Sequence, residues 1–450
     1  MKRKSYAFRR AVGLLVLCPL LCACAAKPPE DPVLRVGIVS DVHVGFHSTY
    51  QQSERLEKVL TFFKNRGVDA VMIPGDLQDH WTTPQYDMAD QIGWIEEFTD
   101  IWFRVFPDGK NDVTGQKIVP LFIYGNHDED LCAEGYWPER LGQYQDAFAT
   151  QIKGYWFVGA HYTREEEARE LIHQAAAQAK QDGKPFFYMQ HLPVQASVLG
   201  SGVGLKNTGT TVYEDIRDFD HAVVFSGHTH IPLTDERSIW QPGPKDASRF
   251  TAVNCATINY SWIASYTAME INGIPDHTQQ AMLMTVDGSR VTLERYSFYG
   301  DENVDGDPIG LPWSFDAFAP ERPYGYDVRA AQAAAPEFDA DAELEIAYVG
   351  DRFINVLIPA ASLTVQEGVS DMIHSYIVEA VDAETGQVVS YAEAASQHHI
   401  DSDISRLRGP YFVALEGLEP GRTYLLNAYA RDFFQLRSDP ICATVVTEAE

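Results

Sequence analysis

The sequence has few cysteines, and their placement excludes two common kinds of small cross-linked protein. Six occur in 450 residues, and three of them lie within the first 24 residues. The remaining Cys132, Cys255 and Cys442 are widely spaced, and no CxxC pair is present. An odd, scattered set of this kind excludes a disulfide framework and a zinc knuckle. One disulfide among the three stays compatible with the spacing, and the sequence does not indicate which pair would form it.

Basic residues are also scarce. The chain has 35 lysines and arginines against 64 aspartates and glutamates, a formal net charge of −29. Because so acidic a surface repels phosphate backbones, a nucleic acid is an unlikely partner. Any anionic substrate would need a local positive centre to attract it, and a bound metal ion would provide one.

The N-terminal apolar run, AVGLLVLCPLLCACAA, has 16 residues and contains Pro19, which makes it short for a membrane span. The run follows the basic stretch MKRKSYAFRR and precedes the polar stretch KPPEDP. This order is typical of a signal peptide, which we predict over residues 1–23, followed by a linker over residues 24–33.

The end of this segment, Leu21-Cys22-Ala23-Cys24, resembles the bacterial lipobox, in which the cysteine is acylated and becomes the mature N-terminus. Cys22 departs from that motif, which more often has a small aliphatic or hydroxyl residue there. We expect an exported lipoprotein, anchored in the membrane through Cys24 and facing outside the cytoplasmic membrane. The alternative is cleavage after Ala26, which would release a soluble secreted protein. Cleavage before Cys24 leaves 30 basic against 64 acidic residues, a net charge of −34.

The length and pattern of the chain predict two folded units. A hydrophobic content of 45% and an aromatic content of 12% are sufficient for sizeable cores. From residue 34, apolar strands alternate with helices predicted over residues 53–66, 84–104 and 163–181. Such alternation indicates βαβ units, and therefore an α/β domain with a mostly parallel sheet, which we bound at residues 34–325.

An Ala-, Asp- and Pro-rich stretch without periodicity, residues 326–342, is predicted to be a linker. Residues 343–450 then alternate short strands with turns, which is typical of an all-β sandwich. Leu418, Pro420-Gly421 and Tyr424 resemble the tyrosine corner of a fibronectin type III domain. The resemblance covers the C-terminal quarter of the chain.

Five short segments carry the chemistry of the first domain: DVH at 41–43, GDLQD at 75–79, GNHD at 125–128, QHLP at 190–193 and GHTH at 227–230. Each alone is a weak signal, since Asp, Asn and His also cap turns. Together they supply carboxylate, imidazole and amide ligands at the carboxyl ends of predicted parallel strands, where open α/β sheets place their sites. The set therefore predicts a two-metal hydrolytic centre.

This ordered set resembles the calcineurin-like metallophosphoesterase superfamily over roughly residues 34–300, with no ligand position substituted. The resemblance implies two β-sheets packed face to face and flanked by helices. It also implies two metal ions, whether manganese, iron or zinc. The implied ligands are Asp41, His43 and His230 for the first ion, Asn126, His191 and His228 for the second, and Asp76 bridging both. His127 would face the substrate, and Asp128 would orient its ring.

Physical chemistry agrees with these implied roles. Two adjacent cations activate a bridging water and stabilise the attacking and leaving oxygens of an in-line displacement. Asn126 would add an oxygen ligand without negative charge, so the site would stay attractive to phosphate. His127 could act as a general acid or as a cationic clamp for the transition state. Asp79 could orient a ligand by a hydrogen bond, or it could be a solvated loop carboxylate.

Several other residues have weaker claims. His47 and Tyr50 could line the pocket, and Trp81, Tyr86 and Trp156 could stack a nucleobase, although packing in the core is the simpler interpretation. The acidic stretch 301–306 imitates an EF-hand loop but lacks its final glutamate, so we predict a turn, with a calcium site as the alternative. A further group of histidines is predicted to be structural or exposed, comprising His80, His161, His173, His221 and, in a solvated sandwich loop, His398 and His399.

The leading hypothesis is therefore an exported, dinuclear-metal-dependent phosphoesterase that hydrolyses a phosphomonoester or phosphodiester by attack of a metal-bridging hydroxide, with a histidine assisting the leaving group. One alternative is a non-catalytic surface binding or adhesion protein that acts through the β-sandwich. Another is a nucleotide or nucleotide-sugar pyrophosphatase on the same fold. The substrate and the oligomeric state are left open by the sequence.

Overall fold

A computed structural model describes residues 33–45, 51–80, 86–201, 212–243, 246, 248–262, 279–300, 303–364, 371–399 and 409–450. The predicted signal peptide, the lipidation site Cys24, and the side chains of His47, Tyr50 and Trp81 lie outside these residues. Within them, no helix is both long enough and apolar enough to cross a membrane.

The strands and helices of the described residues have the following bounds. The strands are β1 (Leu34–Ile38), β2 (Ala70–Pro74), β3 (Val119–Ile123), β4 (Ala147–Ile152), β5 (Tyr155–Ala160), β6 (Phe186–Met189), β7 (Ala222–Ser226), β8 (Ile239–Trp240), β9 (Thr251–Asn254), β10 (Gln280–Asp287), β11 (Arg290–Ser297), β12 (Asp307–Pro308), β13 (Trp313–Asp316), β14 (Glu345–Val349), β15 (Phe353–Ile358), β16 (Ile373–Asp382), β17 (Val388–Ala395), β18 (Tyr411–Glu416), β19 (Thr423–Asp432) and β20 (Ile441–Val446). The α-helices are α1 (Gln52–Asn65), α2 (Met88–Val105), α3 (Glu129–Glu134), α4 (Arg169–Asp182), α5 (Tyr213–Ile216) and α6 (Tyr326–Ala330).

The first unit is built on two mixed sheets. One has the strand order β12-β11-β10-β1-β2-β3, with β13 paired to β11, and the other has the order β4-β5-β6-β7-β9-β8. The strands β1, β2 and β3 run parallel to one another, as do β5, β6, β7 and β9. The parallel arrangement brings the carboxyl ends of neighbouring strands to a common edge.

The two sheets pack face to face, and helices cover their outer faces. A central core joins apolar side chains of both sheets, such as Val36 of β1 and Phe187 of β6. A second core lies between the first sheet and helices α1 and α2, and a third between the second sheet and α4. The fold is therefore the α/β two-sheet architecture that the resemblance implies.

The main helices lie where the apolar spacing predicts them, with small differences at their ends. Helix α2 begins at Met88 and not at residue 84, because the Asp87 carboxylate accepts hydrogen bonds from the backbone N–H groups of Ala89 and Asp90. The segment predicted as one helix from residue 163 begins as a 3₁₀ helix, Glu165–Ala168, before α4.

The C-terminal strands form an all-β unit of two sheets, with the orders β14-β15-β18 and β17-β16-β19-β20. Their inward side chains share one apolar core. The Tyr424 hydroxyl accepts a hydrogen bond from the backbone N–H of Glu419 at 2.9 Å, which is the contact expected of a tyrosine corner. A C-terminal β-sandwich is therefore present.

Two features of the C-terminal part, residues 326–450, differ from the sequence-based expectation. The stretch predicted to be an irregular linker contains the short helix α6, whose Arg329 is buried. His398 and His399, which we predicted to be solvated, are 5% and 0% exposed. The histidine prediction was wrong because the loop packs under β16, where the His398 ring accepts a hydrogen bond from the Ile373 N–H.

Candidate metal centre

The seven predicted ligands converge at one edge of the two sheets. Asp41, Asp76 and Asn126 follow the parallel strands β1, β2 and β3, whereas His191 and His228 follow β6 and β7 of the other sheet. The side chains fall into two potential metal-binding groups that share Asp76. The first group contains Asp41, His43, Asp76 and His230, and the second contains Asp76, His191 and His228.

The backbone is strained at most of these positions. Asp41, His43, Asp76, His228 and His230 have φ values of 52°, 53°, 51°, 70° and 51°. A non-glycine residue in this left-handed region costs about 1–3 kcal/mol and persists only where the surroundings fix it. Such strain at five predicted ligands indicates that the loops are shaped for a site and not for their own stability.

The first group places hydrogen-bond acceptors against one another. The His43 Nδ1 donates to the Asp79 carboxylate at 2.8 Å, and the His230 Nδ1 donates to the Tyr260 carbonyl at 2.8 Å. Each Nε2 atom is therefore left with a lone pair, and these two atoms face each other at 3.2 Å. An Asp41 carboxylate oxygen lies 3.0 Å from the His230 Nε2. Nitrogen and oxygen atoms that converge in this way can bind a metal ion between them.

The second group repeats this pattern around the other face of Asp76. The His191 Nδ1 donates to the Pro74 carbonyl at 2.8 Å, so its Nε2 is the ring nitrogen that faces the cluster. That Nε2 lies 2.9 Å from the Asn126 Oδ1 and 3.2 Å from an Asp76 carboxylate oxygen. The His228 Nδ1 is 2.7 Å from the same Asn126 oxygen. The side chains therefore fit two divalent cations that share the Asp76 carboxylate.

The electrostatics of the cluster also favour positive charge. Burial raises the pKa of the Asp76 carboxyl. His191 and the other imidazoles lower it by a larger amount, so the pKa lies well below its usual range. Burial lowers the pKa of His191, and the Asp76 carboxylate outweighs that effect, raising it to about 9. A cation at this point is therefore strongly stabilised by its surroundings.

His127 belongs to the same site, but its ring contacts the carboxylate of Asp79 and not that of Asp128. Its Nδ1 lies 2.9 Å from an Asp79 oxygen, the same oxygen that accepts from His43. Burial lowers the pKa of His127, but the hydrogen bond to Asp79 and the charge of Asp76 raise it to about 9. Asp79 therefore orients both a predicted ligand and the predicted substrate-facing histidine.

Asp128 does not have the ring-orienting role that we predicted for it. Its buried carboxylate accepts hydrogen bonds from the backbone N–H groups of Leu77, Gln78 and Gly125, at 3.1, 3.1 and 2.8 Å. It thereby ties the loop after β2 to the loop after β3. The side chain points away from the imidazole because these three donors surround it.

A segment after β9 that was not predicted from the sequence completes the site. The Thr257 hydroxyl donates to the Asp41 carbonyl at 2.9 Å, and the Tyr260 carbonyl orients His230 as described. The Tyr260 ring also packs against the His230 ring, with centroids 4.4 Å apart. No short motif marks this segment; its one signal is that it follows a parallel strand at the same sheet edge.

The remaining candidates are not brought into the described part of the cluster. Trp156 is half-buried and packs against the core beneath α4, as the core interpretation predicts. Tyr86 is 39% exposed and meets Trp94 edge-on. The other histidines have local partners: His80 pairs with Asp130, His173 with Asp215, the His161 ring accepts from the Tyr124 N–H, and His221 contacts the Ala176 carbonyl.

Known proteins show one family relationship. Residues 34–232 match the family model described as calcineurin-like phosphoesterase. No match to a curated protein is found by sequence.

Among solved structures, the chain is similar to a dimetal phosphatase from Danio rerio at 12% identity, covering 62% of this chain and 99% of that one, with a TM-score of 0.37. It is also similar to a purple acid phosphatase from yellow lupin (Lupinus luteus) seeds, at 13% identity, with 65% and 56% covered and a TM-score of 0.41. The chain is also similar to FN3tt at 12% identity, with 26% of this chain and 99% of that one covered and a TM-score of 0.17. These values are too low to assign a function by structural likeness.

The family match and the converging ligand set agree on the same strand ends. The matched residues contain all seven predicted ligands together with His127 and Asp128. Residues 34–232 therefore match a calcineurin-like phosphoesterase domain, and this match together with the converging ligand set supports a phosphoester hydrolase.

Proposed function

We propose that the protein is an exported phosphoesterase that hydrolyses a phosphomonoester or phosphodiester with two bound metal ions. The observation that carries this proposal is the convergence of acceptors around Asp76. In the two groups, imidazole nitrogens lie 2.9–3.2 Å from carboxylate oxygens, from the Asn126 amide oxygen or from another imidazole nitrogen. Two cations would relieve both sets of contacts at once.

The metal pair would supply the activated water and would neutralise the charge of the phosphate. The protein's own part is to hold the ligands so that little reorganisation is needed. The Asp79 carboxylate, the Pro74 carbonyl and the Tyr260 carbonyl each fix the tautomer of one histidine through its Nδ1. Partners of this kind orient the ring and increase its basicity as a ligand.

His127 is the residue best placed to move a proton. Its Nδ1 is held by Asp79, so a proton delivered to the leaving oxygen would come from Nε2. The hydrogen bond to Asp79 and the charge of Asp76 raise its pKa, which favours a protonated ring that can also act as a cation beside the phosphate. The backbone N–H of His127 donates to the Asp76 carboxylate at 2.9 Å, which fixes its distance from the metal-binding groups.

The location and the accessory domain belong to the same proposal. A lipobox-like Cys24 after a basic and apolar segment supports export and membrane anchoring. The hydrogen bond of Tyr424 supports a fibronectin type III-like character for the sandwich. The enzyme would then act on phosphorylated compounds outside the cytoplasmic membrane, which its acidic surface would otherwise repel.

A metal-reconstituted activity screen tests this proposal. Protein stripped by a chelator is loaded separately with Mn²⁺, Zn²⁺ or Fe²⁺ and assayed on phosphomonoesters, phosphodiesters and nucleotide pyrophosphates. We expect phosphate-ester turnover with a bound metal pair, and a loss of about 10³-fold in Asp76→Asn. The matched control is Asp100→Asn, which changes an exposed carboxylate in a surface ion pair.

Two results would contradict the proposal. Full activity in Asp76→Asn would remove the central ligand from the mechanism. A protein that binds no metal and hydrolyses none of the esters would favour the alternative of a binding module that acts through the sandwich. Turnover of pyrophosphates alone would support the nucleotide or nucleotide-sugar alternative.

A further inference from the structure

The β-sandwich meets the catalytic domain close to the GHTH segment. Residues 231–238, which we call the support turn, follow the predicted ligand His230 directly. Asp235 and Glu236 in this turn are each 1% exposed. Phe433 and Met372 of the sandwich are buried in the core that joins the two sheets of the catalytic domain. The two units thus share a continuous packed junction.

The support turn is closed by its own hydrogen bonds and is therefore stiff. The Pro232 carbonyl accepts from the Asp235 N–H and from the Ser238 hydroxyl, both at 3.0 Å. The Asn254 side chain donates to the Ile231 carbonyl at 2.8 Å. Because no long free stretch separates the turn from His230, a displacement of the turn would move the imidazole.

Charges from the catalytic domain and from α6 fix the middle of the turn. The Glu236 carboxylate accepts from Arg295 of β11 at 3.0 Å and from Arg329 of α6 at 2.9 Å. The Trp313 Nε1 donates to the same carboxylate at 3.3 Å. The contact with α6 matters because this helix lies just before the sandwich in the chain.

Arg237 carries the contact to the sandwich itself. Its guanidinium donates twice to the Asp235 carboxylate, at 2.8 and 2.6 Å, and once to the His374 Nε2 of β16 at 3.2 Å. Since arginine can only donate, that Nε2 must be the acceptor nitrogen of a neutral ring. The His374 ring also meets Phe433 edge-on, with centroids 5.1 Å apart.

The same arginine supports the segment that follows another predicted ligand. Its carbonyl accepts from the Leu199 N–H at 3.2 Å, in the chain that continues from His191. The neighbouring Gly200 lies so close to Thr229 that a Cβ at this position would be 2.9 Å from the threonine methyl. Thr229 stands between His228 and His230. The loops that carry ligands for both metal ions are thus linked at Arg237.

We propose that the sandwich is a positioning element of the metal centre: His374, acting through Arg237 and the support turn, holds the loops of His191, His228 and His230 in their binding geometry. This inference rests on the proposed function, because it concerns the affinity of the proposed metal pair. It differs from the usual expectation for an appended β-sandwich, which would be tethered and independent.

The test measures metal affinity and not turnover. Full-length protein is stripped of metal and titrated with Mn²⁺ or Zn²⁺ by calorimetry, with thermal unfolding recorded in parallel. We expect His374→Leu to weaken metal binding by about tenfold or more, in the range found for partners that orient ligands. His374→Gln, which keeps an acceptor for Arg237, should retain most of the wild-type affinity.

The matched control is Leu426→Ala, which opens the sandwich core away from the junction. It should lower the unfolding temperature while leaving the metal affinity unchanged. Wild-type affinity in His374→Leu would overturn the inference, as would an equal loss of affinity in Leu426→Ala. Failure of the wild-type protein to bind metal would instead overturn the proposed function, so the two failures are distinguishable.

Discussion

Two buried polar clusters among the described residues, one at the strand ends and one at the junction with the sandwich, are built in opposite ways. At the junction, Glu236 faces two arginines and a tryptophan N–H. At the strand ends, the carboxylates of Asp41, Asp76 and Asp79 contact imidazoles and backbone N–H groups, and within the described residues no lysine or arginine pairs with them.

The difference separates a structural charge cluster from a binding site. Buried charges are tolerated when they are paired and hydrogen-bonded, as those of the junction are. The strand-end cluster has acceptors in excess and keeps five residues in a left-handed backbone conformation. The bound cations of the proposed function would complete its charge balance. Chemistry and support are therefore divided between two neighbouring clusters.

Removing the bound metal should strongly affect the strand-end cluster and should leave the paired charges of the junction unchanged. We expect a chelator to abolish turnover and to reduce the free energy of unfolding by about 4 kcal/mol, relative to protein held at about a thousand times the metal Kd. Urea unfolding with and without the chelator measures the difference. An unchanged stability would contradict the idea that the strand-end cluster depends on a bound cation.

Breaking the paired cluster should destabilise the protein without any metal being involved. Glu236→Gln leaves two buried arginines without their counter-ion, which should cost about 3–5 kcal/mol in the free energy of unfolding. The control Arg140→Gln removes an exposed ion pair and should cost about 1 kcal/mol or less. If the two variants unfold alike in chelator-treated samples, the junction does not have the structural role assigned to it.

Within the metal centre, substitutions of Asp79 and of His127 should have different effects, the first on metal binding and the second on turnover. Asp79→Asn disturbs the orientation of His43 and should weaken metal affinity by about 10–100-fold. His127→Gln should retain the metals and lose about 10²-fold or more in kcat. Calorimetric titration and steady-state kinetics on the two variants give both readouts. Loss of metal in His127→Gln would make that residue a ligand and not a proton donor.

The buried histidines of the sandwich should give a modest pH effect. Burial lowers the pKa of His398 to about 4, with the charge of His399 contributing in the same direction. In the unfolded chain the value is near 6.5, so unfolding takes up a proton and stability should fall as the pH drops from about 6.5 to 4.

In His398→Asn, which keeps an acceptor for the Ile373 N–H, this dependence should be weaker by up to about 1.4 kcal/mol per pH unit. Urea unfolding of chelator-treated protein between pH 7 and 4.5 measures the slope, and the same substitution at the exposed His173 is the control. An identical slope in wild type and His398→Asn would contradict the prediction.

Parts of the fold and site were predictable because their signals are local. Apolar periodicity is set by neighbouring residues, so the helices around residues 53–66 and 163–181 and the strand ends follow from it. The ligand types also follow, since the metal chemistry requires Asp, Asn and His at those ends. The orientation of Asp128 and the burial of His398 were not predictable, because each depends on loops that are distant in sequence.

The sequence by itself determined the predicted ligand set, its order along parallel strands and the acidic charge, because each depends on residue type and local spacing. Tertiary structure alone decided which carboxylate orients His127, which backbone carbonyls fix the other imidazoles, and that His374 of the sandwich contacts Arg237 beside the GHTH segment. Those contacts join residues 48 or more positions apart, except that of His230 with Tyr260, 30 positions away. Local sequence patterns cannot predict contacts between residues so far apart in the chain, because these contacts form only when the two sheets and the sandwich pack together.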